Sequence, residues 1–185
     1  MSETRFPTLA PGAMSAAQQE IARTLTAGPR GGVRGPYVPL IYSPELAERM
    51  RHLGDFIRFE GVLPPRLKEI VIFTVARHWN VDFMFAVHRQ TCAAAGVAAD
   101  IPDAIEDGRR PAGLDAVESA AVDAAQALLR TGGIGDALFA TLRGHLGERG
   151  VIELVAFVGY YCTLAMILNT GRIPVPEGAR PLKPR

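Results

Sequence analysis

With 185 residues, 48% of them hydrophobic, the chain is long enough to bury one good core and has the size of a single domain. Its 20 basic and 19 acidic side chains nearly cancel. It has no Lys/Arg block, basic helix or zinc-finger spacing, so nucleic acid is not an expected partner; the nearest approach is the thin Arg30 to Arg34 loop. Met1 to Ala10 has no apolar stretch behind a basic start, so a cytoplasmic chain is expected.

In chain order, Ala16 to Thr26 reads as a first helix, followed by a Gly/Pro-rich connection from Gly28 to Pro39. Ser43-Pro44-Glu45 then starts a helix, with Ser43 as its expected cap and Pro44 in its first turn. Leu46, Met50, Leu53 and Ile57 recur at helical spacing, carrying that helix to about Arg58. Pro64 and Pro65 open the next helix, whose Leu67, Ile70, Val71, Thr74 and Val75 form a broad apolar surface up to about Arg77. Asn80 and Asp82 are expected to end it and cap another helix, which begins near Phe83, points Phe83, Met84, Val87, Thr91 and Ala94 or Ala95 inward, and stops at Gly96.

Further on, a short helix is expected over Pro102 to Asp107 and a loop over Gly108 to Gly113. Asp115 and Glu118 have capping-box spacing for a helix reaching Leu129, which Thr131-Gly132-Gly133 breaks. Asp136 begins another helix that ends before Gly147 or Gly150, and Val151 to Asn169 forms the last. The uncharged run after Glu153 is short for a membrane span, so a buried core or subunit-interface helix is expected, its Tyr160 and Tyr161 suiting an interface, and no membrane. No strand is specified. The expected fold is all-α, seven or eight helices in one domain, residues 1–185, with irregular ends over 1–15 and 174–185. Lys68-Glu69-Ile70-Val71 and Ile152-Glu153-Leu154-Val155 form a faint internal repeat.

Chemistry centres on Glu69 and His88, an acid and an imidazole each set in an apolar helix. If their helices pack together, Glu69 can accept from one ring nitrogen and fix the tautomer while His88 exchanges a proton with a ligand. The plainer accounts are a buried histidine satisfied by a core hydrogen bond and a Glu69 paired with Arg66. Met84, Phe85 and Cys92 lie one helical turn from His88 and are candidates for a soft apolar wall, or simply core. His52, His78 and His145 lack HxxH or HExxH spacing, and Cys92 and Cys162 form no CxxC pair, so neither a metal nor a cofactor is expected.

The stretch from Leu63-Pro64-Pro65-Arg66-Leu67-Lys68-Glu69-Ile70 through Ala76-Arg77-His78-Trp79, then His88 and Ala93 to Gly96, resembles the carboxymuconolactone decarboxylase family, which includes the AhpD-like alkylhydroperoxidases. Ile152 to Val155, Gly159-Tyr160-Tyr161, Leu168-Asn169 and Arg172 to Pro176 resemble the long subgroup of that family. The resemblance implies an AhpD-like bundle of paired antiparallel helices assembled as dimers, trimers or hexamers. It also implies that Glu69 and His88 form a proton relay. Where the peroxidase branch has its two cysteines, this chain has Val81 and Met84; where many long-subgroup members resemble Tyr-Glu-Trp, it has Phe83-Met84-Phe85.

The compatible reaction is proton transfer on a lactone or small organic acid, as in loss of CO₂ from a γ-lactone, with Arg77 or Arg89 holding a carboxylate. Two alternatives stand beside it: a thiol-dependent peroxidase using Cys92, and a non-catalytic ligand-binding or structural oligomer. A small-molecule ligand and a homo-oligomeric assembly are the expected partners.

Overall fold

The computed structural model describes residues 4–184; positions 1–3 and 185 of the expected irregular ends lie outside the described residues. Among the described residues every regular element is helical. Helix α1 (Ala16–Ala27) starts at a capping box, with Ser15 Oγ accepting from Gln18 N and Gln18 Oε1 accepting from Ser15 N. The connection expected to be irregular through Pro39 contains one helical turn, α2 (Tyr37–Leu40), because Tyr37, Pro39 and Leu40 all bury there.

Helix α3 (Pro44–Asp55) departs from its expected form in three ways. Ser43 makes no side-chain cap; it is held in the non-helical conformation usual before proline, and only its carbonyl joins the helix, accepting from Ala47 N at 2.9 Å. Leu46 and Leu53 are exposed, whereas the small Ala47 and Gly54 turn inward and let α3 approach the core closely. The helix also stops at Asp55, where Phe56–Glu60 widens into a π turn closed by Gly61 N donating to Phe56 O at 2.8 Å.

Helix α4 (Pro65–His78) is the centre of the molecule, packed against α5 (Asp82–Thr91), α6 (Asp100–Glu106), α7 (Ala116–Thr131) and α8 (Asp136–Gly171). Every residue from Ile70 to Ala76 is buried, as expected of a helix that is apolar all round. Burying side chains the size of Phe73 or Ile72 contributes about 1.5–3 kcal/mol each before entropy is counted. Asn80, in the left-handed region at φ 50°, ends α4 and folds α5 back along it. Phe73 meets Phe85 at 4.9 Å between ring centroids, and four residues back on α4 and three onward on α5, Glu69 meets His88. Contacts that run in opposite directions along two helices mark an antiparallel pair.

Along α5 and the turn after it, Met84, His88 and Cys92 form the buried stripe; Thr91, expected inward, is exposed, and of Ala94 and Ala95 it is Ala95 that is half-buried. Asp82 does not cap the helix as expected; its Oδ1 accepts from Leu182 N at 3.0 Å. Helix α7 has the expected capping box, Asp115 Oδ1 accepting from Glu118 N at 2.8 Å and Glu118 Oε2 from Asp115 N at 3.1 Å. The two expected C-terminal helices are both present and follow one another along α8, meeting at the non-helical Gly147 (φ 67°, ψ 176°) where the first was expected to end. Of the two placements expected for the last helix, core or subunit interface, Tyr160 and Tyr161 take the first, buried in their own chain because α8 packs directly on α4.

The irregular tail is latched to its own chain. Arg180 donates twice to Glu106 at 2.6 Å, and Lys183 N donates to Glu106 Oε1 at 2.8 Å. The two segments of the faint repeat have different roles. Glu153 accepts from Val62 N at 2.6 Å and Arg149 Nε at 2.7 Å, whereas Glu69 meets a histidine.

Candidate functional site

Helix α4 offers its first turn to a cavity of about 250 Å³ between the π turn, α4 and α8. Pro65 starts the helix without needing an amide partner, and from there Lys68, Glu69 and Ile72 reach the cavity wall. The π turn contributes Arg58 and Phe59, and α8 contributes Phe157 and Tyr161. The floor is apolar and the polar groups are few and mixed in charge, which is the usual make-up of a small-molecule site.

Glu69 Oε2 lies 2.7 Å from His88 Nδ1. An ionised carboxylate only accepts, so the Nδ1–H donates and the ring is held in that tautomer. His88 is buried and packs edge-on against Tyr161, with ring centroids 5.9 Å apart at 74°. Glu69 forms cavity wall while the imidazole lies behind it. The order expected from the sequence, with His88 facing the ligand and Glu69 behind, is thus reversed in the geometry.

Beside Glu69, Lys68 is only 9% exposed and its Nζ donates to Arg58 O at 2.6 Å, tying the π turn to α4. Burial, with the nearby Arg58 charge, pulls the Lys68 ammonium below the usual lysine pKa. The Tyr161 hydroxyl is buried without a hydrogen-bond partner, and its pKa is pushed up by burial.

The other residues expected at the site lie elsewhere. Met84, Phe85 and Cys92 are in the hydrophobic core, away from the lining of this cavity. Cys92 Sγ contacts the carbonyls of Arg89 and Val97, and burial followed by the Glu69 charge pushes its thiol pKa up. Arg89 pairs with Asp103. Arg77 reaches Asn80 Oδ1 at 3.2 Å and Lys183 O at 3.1 Å and lines a second cavity. Arg66 pairs with Glu118 at 2.6 Å, so Glu69 is not its partner. Helical periodicity on α5 could not reveal this, because the wall comes from four separate segments: the π turn, α4, Ala95 in the turn after α5, and α8. One local signal was available: Lys68 beside Glu69, leading into an uninterrupted apolar run, marks two charges that burial must reconcile.

Among the described residues no group of three or more His, Cys, Asp and Glu side chains is placed to hold a metal ion. Cys162 accepts from Trp79 Nε1 at 3.4 Å, and both cysteines are free thiols.

Comparison with known proteins supplies the frame for this geometry. The profile of the carboxymuconolactone decarboxylase family matches residues 44–127, which include both Glu69 and His88. Among curated proteins none matches the chain. The AhpD-core structure of an uncharacterised peroxidase-related protein from Ralstonia eutropha superposes with a TM-score of 0.79 at 14% identity, covering 94% of this chain and 93% of that one. An uncharacterised peroxidase-related protein from Silicibacter gives 0.75 at 12% identity, covering 94% and 91%. A protein of unknown function from Agrobacterium tumefaciens gives 0.64 at 20% identity, covering 74% of this chain and 94% of that one. Residues 44–127 thus match the carboxymuconolactone decarboxylase family profile, and the chain has an all-α, AhpD-like fold, without a close cysteine pair for a CxxC motif.

Proposed function

We propose that Glu69 and His88 transfer a proton to or from a small organic acid or lactone bound in the 250 Å³ cavity. The observation that carries this reading is a carboxylate on the cavity wall joined at 2.7 Å to a buried imidazole. Glu69 is the group that touches substrate; His88 holds and resupplies its proton. In loss of CO₂ from a γ-lactone acid, the C–CO₂ bond breaks and its electron pair delocalises onto the lactone carbonyl. Glu69 then carries to the ring carbon a proton taken from Nδ1 of the protonated His88 ring, and solvent returns one proton to the imidazole. Arg58 and Lys68, on the same wall, offset the negative charge as it develops.

The test is turnover of a carboxylated γ-lactone, followed by CO₂ release and by solvent deuterium appearing at the protonated carbon. Turnover lost in Glu69→Gln supports the assignment; unchanged turnover and deuterium uptake in that variant reject it.

The peroxidase reading has less support, since the Cys92 thiol is buried and its pKa is raised rather than depressed. A homo-oligomer is part of the proposal because Leu46, Leu53, Phe56, Phe59, Val62 and Ile152 are exposed, Ile152 by 68%. Helix α8 is long and apolar enough to cross a membrane by length and composition. We read it instead as a core helix of a cytoplasmic protein, since Leu154, Phe157, Tyr161, Ala165 and Leu168 are buried against the rest of the chain.

A further inference from the structure

A second and larger cavity, about 520 Å³, lies at the other end of α4, between its last turn, the end of α6, the 107–113 loop and α7. It is separate from the Glu69 cavity and has no lining residue in common with it. Arg77, Arg109, Arg110 and Arg130 all line it, from three different segments, and no carboxylate does. Two of the four charges are offset by acids outside the cavity, and the guanidinium groups gathered around the one concavity still give it a positive field that suits an anion.

The guanidinium groups are partly preset. Asp123 holds Arg110 through two contacts, at 2.6 and 3.1 Å, and Asp107 holds Arg109 at 3.1 Å. Both acids sit outside the lining, so they orient the arginines without filling the space between them. Five N–H donors on each guanidinium leave several beyond those that the acids use. Arg77 also donates to Lys183 O, so the latched tail reaches the rim of the same cavity. The rest of the lining includes Ile105, Val122 and Leu129, an apolar surface that inorganic phosphate alone would leave uncovered. The volume falls in the range of metabolite sites.

We infer that this cavity binds a multiply charged organic anion with an apolar body, either a polycarboxylate or a phosphate ester, held by the arginine forks over the Ile105, Val122 and Leu129 surface. Fork-shaped donors match both kinds of headgroup.

Two probes separate the headgroups, benzene-1,3,5-tricarboxylate and phenyl phosphate, with benzoate as the singly charged comparison. Calorimetric titration of the full chain should give saturable 1:1 binding of at least one probe, tighter than benzoate by roughly tenfold or more. The double variant Arg109→Ala/Arg130→Ala removes two exposed side chains and should weaken that binding by roughly tenfold or more per arginine. Arg23→Ala, which removes one exposed positive charge from α1, should leave it unaltered. The unmodified chain gives an independent readout, since the bound probe should shift the methyl resonances of Ile105, Val122 and Leu129. Absence of saturable binding by both probes, equal affinity in the double variant, or methyl shifts confined to other residues would overturn the inference.

Discussion

Glu69 and His88 are joined at 2.7 Å across the antiparallel pair α4 and α5, yet only the carboxylate forms part of the cavity wall. This one-sided placement separates their roles. Removing Glu69 removes the group that touches substrate, whereas removing His88 leaves the group in place but unsupported. Glu69→Gln should lower any proton-transfer rate by about 10²- to 10⁴-fold. His88→Gln should cost about 10- to 100-fold and displace the pH–rate profile. Steady-state rates of both variants across pH check the order, and a larger loss in His88→Gln would reverse it.

Cys92 should behave as a packing residue. Its thiol is buried, contacts two backbone carbonyls and has its pKa raised by burial and by Glu69. Alkylation of Cys92 in the folded protein should be at least roughly tenfold slower than in the unfolded chain, and Cys92→Ala should leave the lactone reaction intact. Timed labelling read by mass spectrometry measures the first. Dithiol-dependent peroxide turnover abolished by Cys92→Ala would contradict the second.

The tail latch should open in acid. Glu106 is 0% exposed, and the Arg180 hydrogen bonds hold its carboxyl below the usual range. In the unfolded chain the group returns to about 4.3, so the stabilisation is fully present above that pH and is lost as pH falls through the lower folded value. Proteolysis of the tail should therefore accelerate in acid. Arg180→Ala should release the tail already at neutral pH, at a cost of about 1–3 kcal/mol. A tail equally protected from a protease in both proteins would refute the latch.

Gly54 is held to glycine by packing. A Cβ there would collide with the Tyr160 hydroxyl and lie 2.9 Å from Arg30 Nη2. Gly54→Ala should destabilise the fold by about 1–3 kcal/mol despite alanine's better helix propensity. Chemical denaturation with an unchanged m-value and a lower midpoint is the expected result.

The exposed apolar side chains of α3 and the π turn should govern assembly. Leu53→Glu combined with Phe56→Glu should shift the protein to a smaller species by light scattering while circular dichroism stays helical. An unchanged molar mass would place the interface elsewhere.

What the sequence by itself determined was local. The Pro65 start of α4, the Asp115 and Glu118 capping box, the Gly96 and Gly132 stops and the all-apolar run from Ile70 to Ala76 specify helices through contacts within a few residues, and those helices are present. The Glu69 and His88 pairing was also within reach, since a three-residue turn between two helices folds one back along the other. The cavity wall was decided by tertiary structure alone. Arg58 and Phe59 reach it because α3 gives way to a π turn, and Phe157 and Tyr161 reach it from α8, nearly ninety residues beyond Glu69. The same holds for the direction in which amphipathic side chains face. Leu46 and Leu53 have helical spacing, but the close approach of Gly54 to Tyr160 turned α3 so that its small residues are buried instead. Periodicity states which residues share a face; the packing of the neighbouring helices selects the face that is covered.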